Sequence, residues 1–147
     1  MTPQPPVRVL IADDHLLFAQ ALQLALAADK RVEVVGHAPN GKSAVEQAGS
    51  LRPDVILMDL DMPVLDGIEA TRTVRRFIPG CRVAVLTASL LPEDALRARA
   101  AGAAAYLTKG CSAGDLLEAV LELGYCNLAF AACPTARRPR TPSSTPS

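Results

Sequence analysis

The stretch VRVLIADDH, residues 7–15, runs a series of aliphatic side chains into two adjacent carboxylates, Asp13 and Asp14. A segment apolar at consecutive positions, rather than at every second one, is buried on both faces, as strands are in a parallel sheet covered by helices on both sides. Two neighbouring acids at the end of such a strand repel each other, so their presence asks for a nearby cation.

The pattern recurs along the chain. Apolar segments VEVVG at 32–36, DVILM at 54–58, RVAVLT at 82–87 and AAAYL at 103–107 read as four further strands. Between and after them lie segments of helical length and composition, at about 15–28, 41–51, 67–78, 93–101 and 113–123. Asp66 with Glu69, and Ser112 with Asp115, have the form of helix N-caps followed by an acid in the first turn. Pro92 suits a first helical position, and Glu93 and Asp94 follow where the helix dipole favours negative charge. Gly102 and Gly124 suit C-terminal stops. Five β-α units joined by right-handed crossovers give an α/β fold, a doubly wound parallel sheet whose crevice lies beyond the carboxyl ends of the strands.

Those ends are polar. Strand one ends in Asp13 and Asp14, strand three in Asp59, strand four in Thr87 and strand five in Thr108 and Lys109. Taken singly, an acid pair after a strand is most often a helix cap with a solvated charge, a threonine a strand-end hydroxyl and a lysine a surface charge. Their joint placement on one edge is what favours a site. Three converging carboxylates need a counter-charge, and magnesium, which prefers oxygen ligands and keeps several waters, supplies it economically. Asp14 is then a direct ligand and Asp13 acts through water or hydrogen bonds. Asp59 becomes a nucleophile able to form an aspartyl-phosphate. Lys109 and the Thr87 hydroxyl take the remaining phosphoryl oxygens, with the small Ala88 leaving an approach. His15 reads as a first-turn residue packed beside the site, and Tyr106, on residue grounds alone, as packing.

Composition narrows the function classes. With 147 residues, half of them hydrophobic, the chain suits one domain with a substantial core. Residues 1–125 carry twelve basic against fifteen acidic groups, while Arg137, Arg138 and Arg140 stand in a stretch without acids. A mildly acidic body argues against direct nucleic-acid binding. Cys81, Cys111, Cys126 and Cys133 show neither CxxC pairing nor metal spacing with histidine, which suits reduced thiols in the cytoplasm. MTPQPP at the start lacks a signal-peptide core, and no apolar run approaches the roughly 18 residues needed to span a membrane.

The chain resembles the receiver domains of two-component response regulators. The resemblance covers about residues 7–123 and rests on DDH at 13–15, PDVILMDLDMPVLDGIEATR at 53–72, VLTA at 85–88 and AGAAAYLTKG at 101–110. VVGHAPNGKSAVE and GIEATR point to the NarL/FixJ-type subfamily. The resemblance implies a flavodoxin-like (βα)5 fold with five parallel strands in order 2-1-3-4-5. It implies that Asp59 accepts phosphate from a sensor histidine kinase, that Asp13, Asp14, Asp59 and the Asp61 backbone carbonyl hold Mg2+, and that Lys109 holds the phosphate. Thr87 and Tyr106 become a switch pair remodelling the surface of the fourth helix, fifth strand and fifth helix for partners or a homodimer. Such a protein is a phosphoacceptor that supports its own phosphotransfer and slow dephosphorylation, not an enzyme in the ordinary sense. Gly110 stands where many receivers carry proline after the lysine, so no cis X-Pro bond is implied. Ala19 and Ala21 replace an arginine and a glycine frequent in this subfamily's first helix.

The organisation expected is an N-terminal extension at 1–6, a receiver domain at 7–125 and a disordered Pro/Ser/Thr/Arg tail at 126–147. CNLAFAACPTARRPRTPSSTPS offers no helix able to read DNA. Two other functions compete. A phosphorylation-independent interaction or dimerisation module shares the fold without needing the site. A haloacid-dehalogenase-type phosphatase would use Asp59-Leu60-Asp61 as its DxD, but that family places the motif after the first core strand and needs a cap for which no residues remain. GxGxxG is absent, whereas GHAPNGKS at 36–43 has the spelling GxxxxGK[ST] with its first glycine inside the strand read at 32–36.

Overall fold

A computed structural model describes residues 5–125 and 131–132. Five strands, β1 (Val7–Ala12), β2 (Val32–Ala38), β3 (Val55–Met58), β4 (Arg82–Thr87) and β5 (Ala105–Thr108), alternate with five helices, α1 (Leu16–Ala27), α2 (Gly41–Leu51), α3 (Gly67–Phe77), α4 (Pro92–Ala101) and α5 (Ala113–Tyr125). The strands pair in parallel in the expected order 2-1-3-4-5. A two-residue strand, β6 (Ala131–Ala132), extends the sheet beyond β5, also in parallel. It falls inside the stretch read as a structureless tail, and β5 invites it by exposing unpaired backbone groups at the sheet edge. The rest of that stretch, with Cys126 and Cys133, lies outside the described residues.

Period-two alternation splits the core. Val7, Val9 and Ile11 of β1, with Val55, Leu57, Ala84, Leu86, Ala105 and Leu107, pack under α1 and α5 against Leu22, Leu26, Leu116 and Val120. Leu10, Ile56, Met58, Val83, Val85 and Tyr106 face the other way, toward Ala44, Ala48, Ile68, Val74 and Ala98 of α2, α3 and α4. Fully burying each large aliphatic side chain contributes about 1.5–3 kcal/mol, which is why consecutive apolar residues commit these strands to a two-sided core.

The expected caps are present. Asp66 accepts from the Glu69 amide at 2.9 Å and Ser112 from the Asp115 amide at 3.1 Å, while Asn40 caps α2 through the Ser43 amide at 2.8 Å. Gly102 ends α4 as expected. Gly124 does not end α5, which continues to Tyr125. Its role is close packing, since a Cβ there would lie 2.4 Å from Val7 Cγ2. Among the described residues no helix is long and apolar enough to cross a membrane.

Candidate functional site

The backbone ladder runs one residue past the strands. Asp13 N donates to Ala38 O at 2.9 Å, Asp59 N to Ala12 O at 2.9 Å and Lys109 N to Thr87 O at 2.8 Å. Alternation therefore extends too, carrying Asp13, Asp59 and Lys109 to the α1–α5 side while Thr87 and Tyr106 keep to the α2–α4 side.

On the first side the charged groups converge. Lys109 Nζ lies 2.8 Å from Asp13 Oδ2 and 3.5 Å from Asp59 Oδ2, with its ammonium 4.6 Å from the centre of the Phe18 ring. Asp59 is 3% exposed, and its Oδ2 makes no hydrogen bond. Burial pushes its pKa up to about 6, helped by the Asp13 charge and opposed by Lys109 and by the Asp61 backbone N–H. At neutral pH the carboxylate is still mainly ionised, yet more basic than an exposed aspartate.

One oxygen each from Asp13, Asp14 and Asp59 and a ring nitrogen of His15 lie within 4.8 Å of one another. A hard, oxygen-seeking dication fits these residues: the carboxylates supply the donors it prefers, and Asp59 Oδ2 is buried without a hydrogen bond, met only by the Lys109 ammonium at 3.5 Å. Asp61 stands exposed in the β3–α3 connection. That connection is held tightly. Gly67 N donates to Leu60 O at 2.9 Å, Leu65 N to Pro63 O at 2.8 Å, and Val64 adopts a left-handed φ of 72°. A branched residue in that region stores strain of about 1–3 kcal/mol. Gly67 is required here, because a Cβ would fall 2.0 Å from the Asp59 carbonyl oxygen.

On the second side Thr87 is buried and its Oγ1 accepts from Ser89 N at 3.1 Å. Tyr106 is buried as well, its hydroxyl donating to Ser89 O at 3.4 Å, and burial raises its pKa. Ser89 Oγ donates to Asp94 in the first turn of α4 and accepts from Leu91 N at 3.1 Å. Both hydroxyls thus meet one residue, which reaches into α4.

The residues singled out from sequence all reach this edge, and three contributors were missed. His15, expected merely to pack alongside, stands at the N-cap of α1 with Nδ1 3.1 Å from Asp13 Oδ1 and 3.3 Å from Asp14 Oδ1. Its adjacency to the acid pair was the available signal. Phe18 and Ser89 carried none that separated them from core or loop residues.

The family model for the response regulator receiver domain matches residues 9–121. Response regulator protein VraR of Staphylococcus saprophyticus is 38% identical over 115 residues, 78% of this chain and 55% of that protein. VraR of Staphylococcus aureus is 38% identical over 114 residues, 78% of this chain and 54% of its own length. The chain thus spans about half the length of the curated relatives it matches. Among solved structures, the signal receiver domain of the putative response regulator NarL from Mycobacterium tuberculosis aligns with a TM-score of 0.80 at 35% identity, covering 82% of this chain and 98% of that one. The response regulator domain of Thermotoga maritima CheB aligns with a TM-score of 0.77 at 31% identity, covering 83% and 98%.

Proposed function

The chain belongs to the response regulator receiver domain family, and from that premise we propose that it is a phosphorylation-controlled receiver whose Asp59 takes the phosphoryl group of a phosphohistidine on a sensor histidine kinase. The observation that carries this reading is Asp59 Oδ2, buried and without a hydrogen bond, standing between Lys109 and the acid pair.

In the reaction an Asp59 oxygen forms the new O–P bond as the P–N bond breaks and its electron pair returns to the kinase imidazole. Magnesium held by Asp13, Asp14, Asp59 and the Asp61 carbonyl would supply positive charge to the phosphoryl oxygens. Lys109, paired with Asp13 at 2.8 Å before transfer, turns its ammonium to the phosphate. The Thr87 hydroxyl leaves the Ser89 amide for another phosphoryl oxygen, and Tyr106 follows into the space on the α2–α4 side. Because only one packing satisfies the new dianion, its population rises.

The output surface in this reading is α4, β5 and α5, beside the exposed Leu90, Leu91 and Leu96. Association through it, as a homodimer or with a partner, would serve transcriptional control when the receiver is joined to an output domain. The chain itself would not bind nucleic acid. A cytoplasmic location suits the reduced thiol of buried Cys81, whose pKa burial pushes up to about 12 and which is therefore inert.

The test is acid-labile labelling by acetyl phosphate with magnesium. Asp59→Asn should abolish it, and undiminished labelling would overturn the assignment. Analytical ultracentrifugation with and without beryllofluoride then reads the output, expected as a shift from monomer to dimer.

A further inference from the structure

We propose that Phe18 is a positioning residue for phosphoryl transfer: its ring carries the Lys109 ammonium on its face and keeps it beside Asp13 and Asp59, where the phosphoryl group arrives. The role rests on the phosphoacceptor reading and adds a neutral side chain to its charged constellation.

The helix repeat puts the ring there. Phe18, Leu22 and Leu26 recur at every fourth residue on one face of α1, and the last two are buried in the core. Phe18 packs against the same core from the first turn of the helix, at the carboxyl edge of the sheet. Lys109 follows β5 with its amide bound to Thr87 O at 2.8 Å, so its stem leaves from a fixed point of the backbone. The lysine side chain is 15% exposed, and its ammonium ends 4.6 Å from the centre of the Phe18 ring. That separation lies within the roughly 6 Å over which the negative face of an aromatic ring attracts a cation.

The other neighbours of the ammonium explain why a neutral partner suits the place. Asp13 Oδ2 lies 2.8 Å away, Asp59 Oδ2 3.5 Å and His15 Nδ1 3.5 Å. Holding the end of a flexible four-carbon stem in one position takes contacts beyond a single ion pair. A further carboxylate would supply one, but it would add negative charge where a negative phosphoryl group must come in. A π face attracts the cation and adds no net charge. It also replaces water on one side of the ammonium, which strengthens the electrostatic contacts that remain.

Acetyl phosphate labelling of the full chain with magnesium tests the proposal in Phe18→Leu, Phe18→Tyr, Lys109→Met and the double variant of Phe18→Leu with Lys109→Met. Leucine keeps an apolar side chain on the core and removes the π face. Phe18→Leu should therefore slow labelling about 5- to 30-fold, the rate equivalent of a largely desolvated cation–π contact. Tyrosine keeps the face and should restore most of the rate. In the Lys109→Met background the leucine should slow labelling no further, because the ring acts through the ammonium. An undiminished rate in Phe18→Leu overturns the proposal. Equal slowing in both backgrounds overturns it too, by making Phe18 a packing residue alone. Proton NMR of the metal-free chain gives a readout without phosphate: the ring current should shift the Lys109 ε-methylene protons upfield, and the shift should vanish in Phe18→Leu. An ordinary lysine signal in the natural sequence would refute the contact. Absence of labelling in the natural sequence, with the ring-current shift present, would instead sink the phosphoacceptor reading on which the role depends.

Discussion

The two sides of the sheet's carboxyl edge hold their polar groups in different ways. On the α1–α5 side, Asp13, Asp59 and Lys109 already face one another across 2.8 and 3.5 Å, a constellation assembled before any phosphate arrives. On the α2–α4 side, Thr87 and Tyr106 are each tied to Ser89, and through it to the start of α4. Groups preorganised around one point serve chemistry, because no reorganisation is needed at the moment of reaction. Groups tied to a neighbour by weak bonds serve readout, since exchanging those bonds moves the neighbour. The β4–β5 ladder joins the sides where Lys109 N meets Thr87 O.

If that division is right, the largest effect belongs to the assembled side. Lys109→Met should slow phosphate uptake by about 10²–10³-fold, the usual cost of removing one preorganised charge-stabilising donor. A labelling rate near that of the natural sequence would break the comparison at once. Asp59→Asn should next raise the stability of the metal-free protein. The folded-state pKa, about 6, lies above the ordinary 3.8, so the folded form binds this proton more tightly than the unfolded one. Stability is therefore highest at low pH and falls as pH rises from about 4 to about 6, leaving a deficit of about 3 kcal/mol at pH 7 that the amide removes. Urea unfolding at pH 7 and pH 4 checks this, with a gain expected only at the higher pH.

Most of the frame was legible in the chain because one rule, two-sided burial, governs β1, β3, β4 and β5, with β2 half-exposed at the sheet edge, and because the polar residues that break it fall at strand ends. Alternation even sorts Thr87 from Asp59. What could not be read is where another part of the chain closes on a glycine. Gly124 has the form of a helix stop and is instead the floor under Val7. Gly67 follows a recognisable cap, yet the reason for glycine is the Asp59 carbonyl that only the folded chain brings to it. Gly67→Ala should accordingly cost about 1–3 kcal/mol through overpacking, read as a lower melting temperature, together with slower labelling because the displaced carbonyl carries Asp59 with it. A variant that melts like the natural protein would mean the connection yields freely. His15 escaped for a related reason: its contacts depend on the angle at which α1 leaves β1, which no spacing encodes.

Tyr106→Phe separates the two sides most finely. The lost bond to Ser89 O is long, 3.4 Å, and the ring itself stays buried in the core cluster it shares with Val85, Met58 and Ala98, so the stability change should stay below about 1 kcal/mol. Labelling should be unchanged, because no atom of Tyr106 faces Asp59 or Lys109 across the sheet. The hydroxyl matters only to the choice between two positions of the ring. Without it the ring loses its tether to Ser89, and the dimer expected with beryllofluoride should form at a shifted protein concentration by ultracentrifugation. If labelling slows while association is untouched, Tyr106 acts on the chemistry, and the sheet does not divide reaction from readout.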